Sequence, residues 1–333
     1  MEKLYILNNS DDRDDFCRSI IGIKNSKIYH LKVVRDIIDN ELNRSLKPTF
    51  EYCNLESNES PIDALFEKSE IYSQSRLSKS HFKLIELTNR PGEYYPRIYR
   101  PFLEPSESPI SNKQKLDKLE TALFNFPNRN LNNISIIVSG INQLLALTRM
   151  LTEILNTIHP TETNLEAYGH RIKNLLILSC VEVESQLKGI YKANEVSGKE
   201  RYNTQDYIKL KDILKLNKYS VRLALYPGLR TYYPFKNWNK EIGATKSLKW
   251  YDNYNSVKHN SETEFHKATL DSAIQGVSAV VILLKAQYGP NIPFWREEIG
   301  SYYEVKSSIE WKNIERIIPP LNEENWRIKK IEL

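Results

Sequence analysis

A short polar run between Trp250 and Asn260 carries the side chains best suited to chemistry. It reads Trp-Tyr-Asp-Asn-Tyr-Asn-Ser-Val-Lys-His-Asn, so it combines aromatic rings, amides, one lysine and one histidine. A histidine titrates near neutral pH and can act as a general base, and a neighbouring lysine can supply positive charge to an anion. Because an apolar helical pattern follows at residues 262–288, we predict that this run lies at the beginning of a helix.

Two further features bear on how His259 could act. Ser261 and Glu264 have the spacing of a capping box, so we predict that a helix begins directly after His259. The free backbone amides at a helix start favour an anion, while the helix dipole and Lys258 favour a neutral imidazole. A neutral His259 could accept the proton of a ribose 2′-hydroxyl without a metal ion. A histidine before a helix can equally be a capping or hydrogen-bonding residue, so both interpretations stay open.

The neighbours of this histidine also have a functional and a structural interpretation each. Asn255 could take part in the site, or it could cap a helix or bond across packed helices. Trp250 and Tyr254 could contact RNA, or they could be core or interface aromatics. Glu184, on another predicted helix, could orient the histidine or the lysine, or it could lie on the surface.

No pattern typical of a metal or cofactor site occurs in the sequence. There is no Cys-x-x-Cys, His-Glu-x-x-His or Gly-rich phosphate-binding motif, and there are only 11 glycines. His266 and Glu262 are one helical turn apart, but no further ligands accompany them. The three cysteines, Cys17, Cys53 and Cys180, are far apart and odd in number, which is typical of reduced thiols. We therefore expect no metal, no cofactor and a cytoplasmic location.

The composition is that of a soluble globular protein with one or two domains. Of the 333 residues, 40% are hydrophobic and 27% are charged. An acidic run at residues 11–15 follows the N-terminus closely, so we expect no secretory signal. The most apolar run, Ala279–Leu284, is too short to cross a bilayer, and we expect no membrane association.

Positive charge is concentrated in one stretch of the chain. Between Lys188 and Lys249 there are 14 lysine and arginine residues and 5 acidic residues. The aromatic residues interleaved with them include Tyr202, Tyr207, Tyr219, Tyr226, Tyr232, Tyr233, Phe235 and Trp238. Such a mixture can neutralise phosphates and stack bases, or it can be a solvated basic face over structural aromatics. The RNA contacts predicted from the first interpretation are Arg230, Lys246, Lys249, Trp250 and Tyr254.

Residues 1–110 carry a mixture of strand and helix patterns. Strands are predicted at residues 4–7, 81–87 and 94–102, with a turn at residues 90–93. Ile28, Leu31, Val34, Ile38 and Leu42 recur at helical spacing, which predicts a helix that ends before Pro48. Residues 103–109 are rich in Pro, Ser and Glu, which is typical of a linker. We see no catalytic arrangement in this region, but a protein partner could bind to it.

Beyond the linker the pattern is helical. Helices are predicted from Ser111 to Phe124, over the apolar stripe Ile134–Leu155, from a capping box at Thr163 and Glu166 to Ile190, over Asp206–Leu216, and from Ser261 to Tyr288. Gly289 and Pro290 should end the last of them. Because amphipathic helices cannot bury their apolar stripes alone, we expect them to pack as a bundle.

These patterns predict a mainly α fold with three regions. Residues 1–110 form a smaller mixed α/β region, residues 111–290 form an antiparallel helical bundle, and residues 291–333 form a C-terminal extension. The extension contains Phe294, Trp295, Trp311 and Trp326. It is too aromatic to be a disordered tail, so we expect it to pack on the bundle.

The helical region resembles the HEPN superfamily, the higher eukaryotes and prokaryotes nucleotide-binding domain. Residues 171–185 are similar to an early helix of that superfamily, with polar residues on an apolar scaffold. Residues 254–260, followed by an apolar helix, resemble its signature segment. The resemblance covers roughly residues 113–290 and does not reach the N-terminal region or the extension.

The resemblance implies an HEPN-like bundle that forms homodimers, so that two signature segments build one site. Many members are metal-independent endoribonucleases that act in phage defence or as toxins, and a 2′,3′-cyclic phosphate would be the product. By this resemblance His259, Asn255 and Lys258 are the candidate catalytic residues. Tyr254 stands where the family has an arginine, which binds phosphate bidentately. Lys258 or Lys249 could supply a charge there, but not the fork geometry of arginine.

Two functions are therefore expected from the sequence. The first is an RNA- or nucleotide-engaging protein that cleaves RNA with His259, supported by Glu184. The second is a catalytically inactive scaffold for dimerisation or protein interaction that keeps only the HEPN-like fold.

Overall fold

The structure is a computed structural model that describes residues 1–9, 19–38, 41–74, 78–103, 131–196, 201–290, 292, 295, 299–321 and 325–331. The chain folds into two compact units, each built from three segments. The sheet unit comprises residues 1–94, 100–115 and 311–327. The helical unit comprises residues 95–99, 116–310 and 328–333.

The predicted fold class is wrong. Helices make up 45% of the protein and strands 20%, and the N-terminal part contains a five-stranded antiparallel sheet. The chain is therefore not a mainly α, HEPN-like helical bundle. The division into units also differs from the predicted regions, since residues 311–327 of the predicted C-terminal extension belong to the sheet unit.

The five strands of the main sheet follow the order β4-β3-β2-β1-β5, and all neighbours are antiparallel. They are β1 (Lys3–Asn9), β2 (Ser19–Lys24), β3 (Lys27–Ile38), β4 (Glu41–Asn54) and β5 (Phe82–Glu86). The strands predicted at residues 4–7 and 81–87 are thus confirmed. The strand predicted at residues 94–102 is wrong, because only β6 (Glu93–Tyr94) and a single bridge at Phe102 lie there.

The helix predicted between Ile28 and Leu42 is also wrong, because these residues lie in β3 and β4. Asn25 and Ser26 form the two-residue turn between β2 and β3, with φ angles of 50° and 56°. Two successive positive φ angles are the geometry of a tight hairpin turn. The turn starts the pairing of β2 with β3, and the β-branched residues of β3 suit a strand.

Each face of the sheet packs against an apolar core. One face buries Leu4, Ile6, Ile20, Leu31 and Leu46, together with Leu103 and Ile318 from later segments of the sheet unit. The other face buries Tyr5, Leu7, Ile21, Ile23 and Ile28 against Ala64 and Leu65 of α1 (Pro61–Lys68). The short helix α2 (Glu70–Ser73) follows directly. Successive side chains of a strand point to opposite faces, which explains why apolar residues reach both faces of the sheet.

Aromatic residues of the predicted extension are divided between the units. Trp326 lies 6.0 Å from the rings of Tyr94 and Phe102 in the sheet unit. Trp295 is buried in the helical unit, where the Lys285 ammonium lies 4.0 Å from its ring centroid. The expectation that the whole extension packs on the helices therefore does not describe residues 311–327.

The helical unit contains seven described α-helices and one described antiparallel pair of strands that are distant in the sequence. They are α3 (Leu131–Thr157), α4 (His170–Ala193), α5 (Thr204–Tyr207), α6 (Leu210–Ile213), α7 (Lys249–His259), α8 (Ser261–Glu264) and α9 (Leu270–Tyr288), with β7 (Tyr219–Leu223) antiparallel to β8 (Tyr303–Ser307). A further short strand, β9 (Arg327–Ile328), pairs with β6. The helix predicted over Ile134–Leu155 is confirmed within α3, while the one over Asp206–Leu216 is broken into shorter turns.

The starts of α4 and α9 are not where the capping patterns predict them. Thr163 precedes only a 3₁₀ turn at Asn164–Glu166, and Ser261 begins the four-residue α8. The helix α9 is instead capped by Thr269, whose hydroxyl accepts from the Ser272 amide at 3.3 Å. A backbone bridge joins Tyr168 to Thr269, so the pairing of two chain segments determines where both long helices begin.

The helix α9 is the core of the helical unit and ends, as predicted, at Gly289, where φ is 80°. Residues 134–157 and 270–288 are long and apolar enough to cross a membrane, by length and composition alone. The second is 83% buried in the protein and the first 33%. The predicted helix from Ser111 to Phe124 and nearly all of the predicted linker lie outside the described residues.

Candidate functional site

The polar run that the sequence places before a helix is itself the helix α7. Lys258 and His259 occupy its last turn, and Asn260 follows as the C-cap. The end of a helix carries partial negative charge, so it disfavours an anion. The predicted anion-binding helix start beside His259 is therefore wrong, because α8 after it is only four residues long.

The buried face of α7 consists of aromatic residues. Trp250 is 1% exposed and Tyr254 is fully buried. The Trp250 indole donates a hydrogen bond to the Pro234 carbonyl at 2.9 Å, and its ring meets Phe235 edge to face. Neither residue can stack on a base in this structure, so their predicted RNA contacts are wrong and the core interpretation is correct.

Three polar side chains of α7 and one of α4 form two hydrogen-bonded pairs. The Tyr251 hydroxyl donates to Glu184 of α4 at 2.5 Å, and the Lys258 ammonium donates to the Tyr254 hydroxyl at 3.0 Å. Burial and the Glu184 carboxylate raise the pKa of Tyr251, so this phenol stays protonated. The bond to Tyr254 raises the pKa of Lys258. The bond to Glu184 thus joins α7 to α4, whereas the bond between Lys258 and Tyr254 lies within α7.

His259 lies outside these pairs. It is exposed, and its ring makes no hydrogen bond or ion pair with any residue that the structure describes. Asn255 lies one turn earlier on the same face, and its side chain is likewise unbonded within the described ranges. Glu184 bonds to Tyr251, so no carboxylate within the described part of the chain orients the His259 ring. A general base normally needs such a partner to fix its ring.

The aromatic residues of the basic stretch are mostly structural. Of the eight named above, five are buried: Tyr207, Tyr219, Tyr232, Phe235 and Trp238. Tyr233 is 47% exposed, but the Lys236 ammonium lies 5.2 Å from its ring centroid. Most of these rings therefore lie beneath the basic surface and cannot stack on bases.

The basic residues predicted to contact RNA fall into two groups. Arg230 bonds to Glu162 at 2.7 Å and to Asp271 at the start of α9, so its charge is used within the protein. Lys246 and Lys249 are exposed, and neither makes an ion pair with the described part of the chain. Of the three predicted contacts, Lys246 and Lys249 keep their charge available to phosphate.

A buried polar network in the helical unit was not predicted from the sequence. The Arg97 guanidinium donates to Gln287 of α9 at 2.9 Å, and Gln287 donates to Gln186 of α4 at the same distance. Gln186 in turn donates to Glu182. Arg97 has φ of 57°, and its guanidinium lies where a side chain at Gly189 would be. The sequence indicates this network only by one glutamine within the apolar stripe of α4, Gln186, and one within that of α9, Gln287.

Within the described residues no group of three or more His, Cys, Asp or Glu side chains could hold a metal ion. Cys180 is fully buried, and burial raises the pKa of its thiol, so it is a core residue without nucleophilic character. No family model matches the sequence, and no curated protein or solved structure is similar to it. The resemblance to HEPN proteins therefore stays a prediction.

Proposed function

We propose that the helical unit binds RNA without cleaving it, through the exposed cations at Lys246 and Lys249. The observation that carries this proposal is that both ammonium groups are exposed and unpaired among the described residues, whereas Arg230 is neutralised by two carboxylates. Free lysines on a basic surface attract phosphates and release condensed counterions. The stretch that contains them has 14 basic and 5 acidic residues, which supports a polyanionic partner.

Binding is favoured over cleavage by the surroundings of His259. Metal-independent cleavage needs a base that is held near the 2′-hydroxyl and a cation that stabilises charge at phosphorus. His259 has no orienting partner among the described residues, and the nearest lysine, Lys258, bonds to Tyr254. The helix end beside it also disfavours a phosphate. The HEPN-like homodimer and a role in phage defence or as a toxin remain expectations from the resemblance.

The test is RNA binding by the purified full chain at several salt concentrations, with EDTA present. We expect the double variant Lys246→Glu/Lys249→Glu to bind more weakly and to reduce the dependence of log K on log salt by roughly 2, one unit for each lost phosphate contact. Lys306→Glu is the matched control, since Lys306 is an exposed lysine of β8 in the same unit. This control should leave both values unchanged.

The same reactions separate the alternatives. RNA cleavage that disappears in His259→Ala would show a ribonuclease and contradict a purely binding role. An unchanged affinity in the double lysine variant would remove this surface as the binding site. If the wild-type protein binds no RNA at any salt concentration, the scaffold function becomes the better interpretation of the helical unit.

A further inference from the structure

Three aromatic rings lie together on one face of the main sheet, beside α1. His30 of β3 stacks on Phe50 of β4, with centroids 4.8 Å apart and planes 12° apart. Tyr52 meets both rings edge to face, at 5.9 Å and 4.8 Å. Phe50 is 41% exposed, so one face of the group is accessible to solvent. We call His30, Phe50 and Tyr52 the aromatic platform.

Contacts with neighbouring aromatic rings and one hydrogen bond fix the positions of the platform side chains. The ring centroids of Tyr52 and Tyr72 are 5.5 Å apart, and the Tyr72 ring contacts Phe66 of α1 and Phe82 of β5. The His30 imidazole bonds to the Thr49 hydroxyl at 2.6 Å. Rings that are already fixed lose little entropy when a planar ligand stacks on them.

Two lysines lie next to the platform on the same sheet face. Lys32 is two residues after His30 on β3, and it is paired in register with Lys47 of β4. Lys32 makes no hydrogen bond or ion pair with the described residues. Aromatic faces with adjoining cations match a nucleotide, which offers a flat base and a phosphate.

We propose that the aromatic platform, together with Lys32, binds a short segment of single-stranded RNA. One base stacks on the exposed face of Phe50, and the adjacent phosphate contacts the Lys32 ammonium. Sheet surfaces that bind single strands combine stacked aromatics with basic residues in this manner. This site lies in the sheet unit, so it does not depend on the binding surface proposed for the helical unit.

Fluorescence anisotropy with a labelled oligoadenosine tests the proposal on the full chain, with an abasic oligomer of equal length as the matched ligand. The background protein carries Lys246→Glu/Lys249→Glu, so that binding at the helical unit does not mask the result. We expect the base-containing oligomer to bind roughly fivefold or more tightly than the abasic one. Phe50→Ala should remove this difference and Phe50→Trp should restore it. Tyr233→Ala, which removes an exposed aromatic ring elsewhere, should have no effect.

Charge variants test the second half of the site. Lys32→Gln should weaken binding of both oligomers and lower the salt dependence by about 1. Equal affinity for base-containing and abasic oligomers, or an unchanged affinity in Phe50→Ala, would overturn the proposal. Stronger binding of a DNA oligomer of the same sequence would overturn the assignment to RNA. If Lys246→Glu/Lys249→Glu abolishes RNA binding by itself, and Phe50→Ala in the wild-type protein leaves the affinity unchanged, the aromatic platform is not a binding site. The function proposed for the helical unit would still stand.

Discussion

The two units place similar residues in opposite environments. In the helical unit the aromatic residues near Lys246 and Lys249 are buried, and Trp250 and Tyr254 of α7 are its clearest examples. In the sheet unit Phe50 remains 41% exposed beside Lys32 and Lys47. Aromatic and basic residues that alternate in a sequence therefore do not indicate a nucleic-acid surface by themselves. The secondary structure decides which of them reach the solvent.

The physical origin of the difference is the period of each element. On α7, residues 250, 254 and 257 lie on one face because a helix repeats every 3.6 residues, and this face packs on the core. Lys249 and His259 then lie on the other side and are exposed. On β4 neighbouring residues point to opposite faces, and a register shift between His30 and Leu31 places Phe50 opposite His30. The Phe50 ring and the Lys32 ammonium are thus on the same face of the sheet.

The largest expected effect is the loss of stability in Trp250→Ala, which we compare with the loss in Phe50→Ala. Removing the buried indole leaves a cavity and deprives the Pro234 carbonyl of its donor, so the free energy of unfolding should fall by about 3–5 kcal/mol. Phe50→Ala removes an exposed stacked ring and should cost about 1 kcal/mol or less. Denaturant unfolding followed by far-ultraviolet circular dichroism measures both. A similar loss in the two variants would contradict the contrast between a structural and an accessible aromatic group.

The sequence predicts this contrast only in part. The apolar stripes of α3, α4 and α9 are long enough that their existence is visible from spacing alone. The strands β3 and β4 are missed because isoleucines and valines at suitable positions also fit a helical pattern. The Asn25–Ser26 turn is the local signal that would have separated the two interpretations.

A smaller effect is expected from the buried amide network that joins α4 to α9. Gln287→Leu leaves Gln186 and the Arg97 guanidinium without their partner, so the free energy of unfolding should fall by about 1–3 kcal/mol. Gln205→Leu, at an exposed position of α5, is the matched control and should change it by less than about 0.5 kcal/mol. Adding Gln186→Leu to Gln287→Leu should cost less than the sum of the single changes. Additive losses would show that the two amides act independently.

The candidate site shows a different limit of sequence reasoning. The hydrogen bond between Tyr251 and Glu184 depends on how α7 packs on α4, and spacing within one helix cannot reveal it. The bond between Lys258 and Tyr254 joins residues one turn apart on α7, and only this bond follows from spacing. The structure also differs from the prediction at His259 for a related reason. Ser261 and Glu264 fit a capping box, but the pairing of Tyr168 with Thr269 moves the helix start to Leu270. A contact between distant segments thus overrides a local signal.

The smallest expected effect is a pH dependence that distinguishes His30 from His259. Burial and the nearby Lys32 charge lower the pKa of His30 below its usual value of 6.5. The folded state therefore disfavours the protonated ring, so its contribution to stability is present above about pH 6.5 and is lost as the pH falls through the lowered folded pKa.

Unfolding midpoints between pH 7.5 and 5.5 check this expectation, because carboxylates titrate mainly below about that range. His30→Phe keeps a ring on Phe50 but removes the titrating group, so it should flatten the decline in stability toward low pH. His259→Phe is the matched control, since its exposed ring bonds to no described residue, and it should leave the decline unchanged. A decline that persists in His30→Phe would mean that another group of the sheet unit titrates in this range. In that case the stability of the protein would not depend on a neutral His30 imidazole. The predicted difference between His30 and His259 would then be wrong.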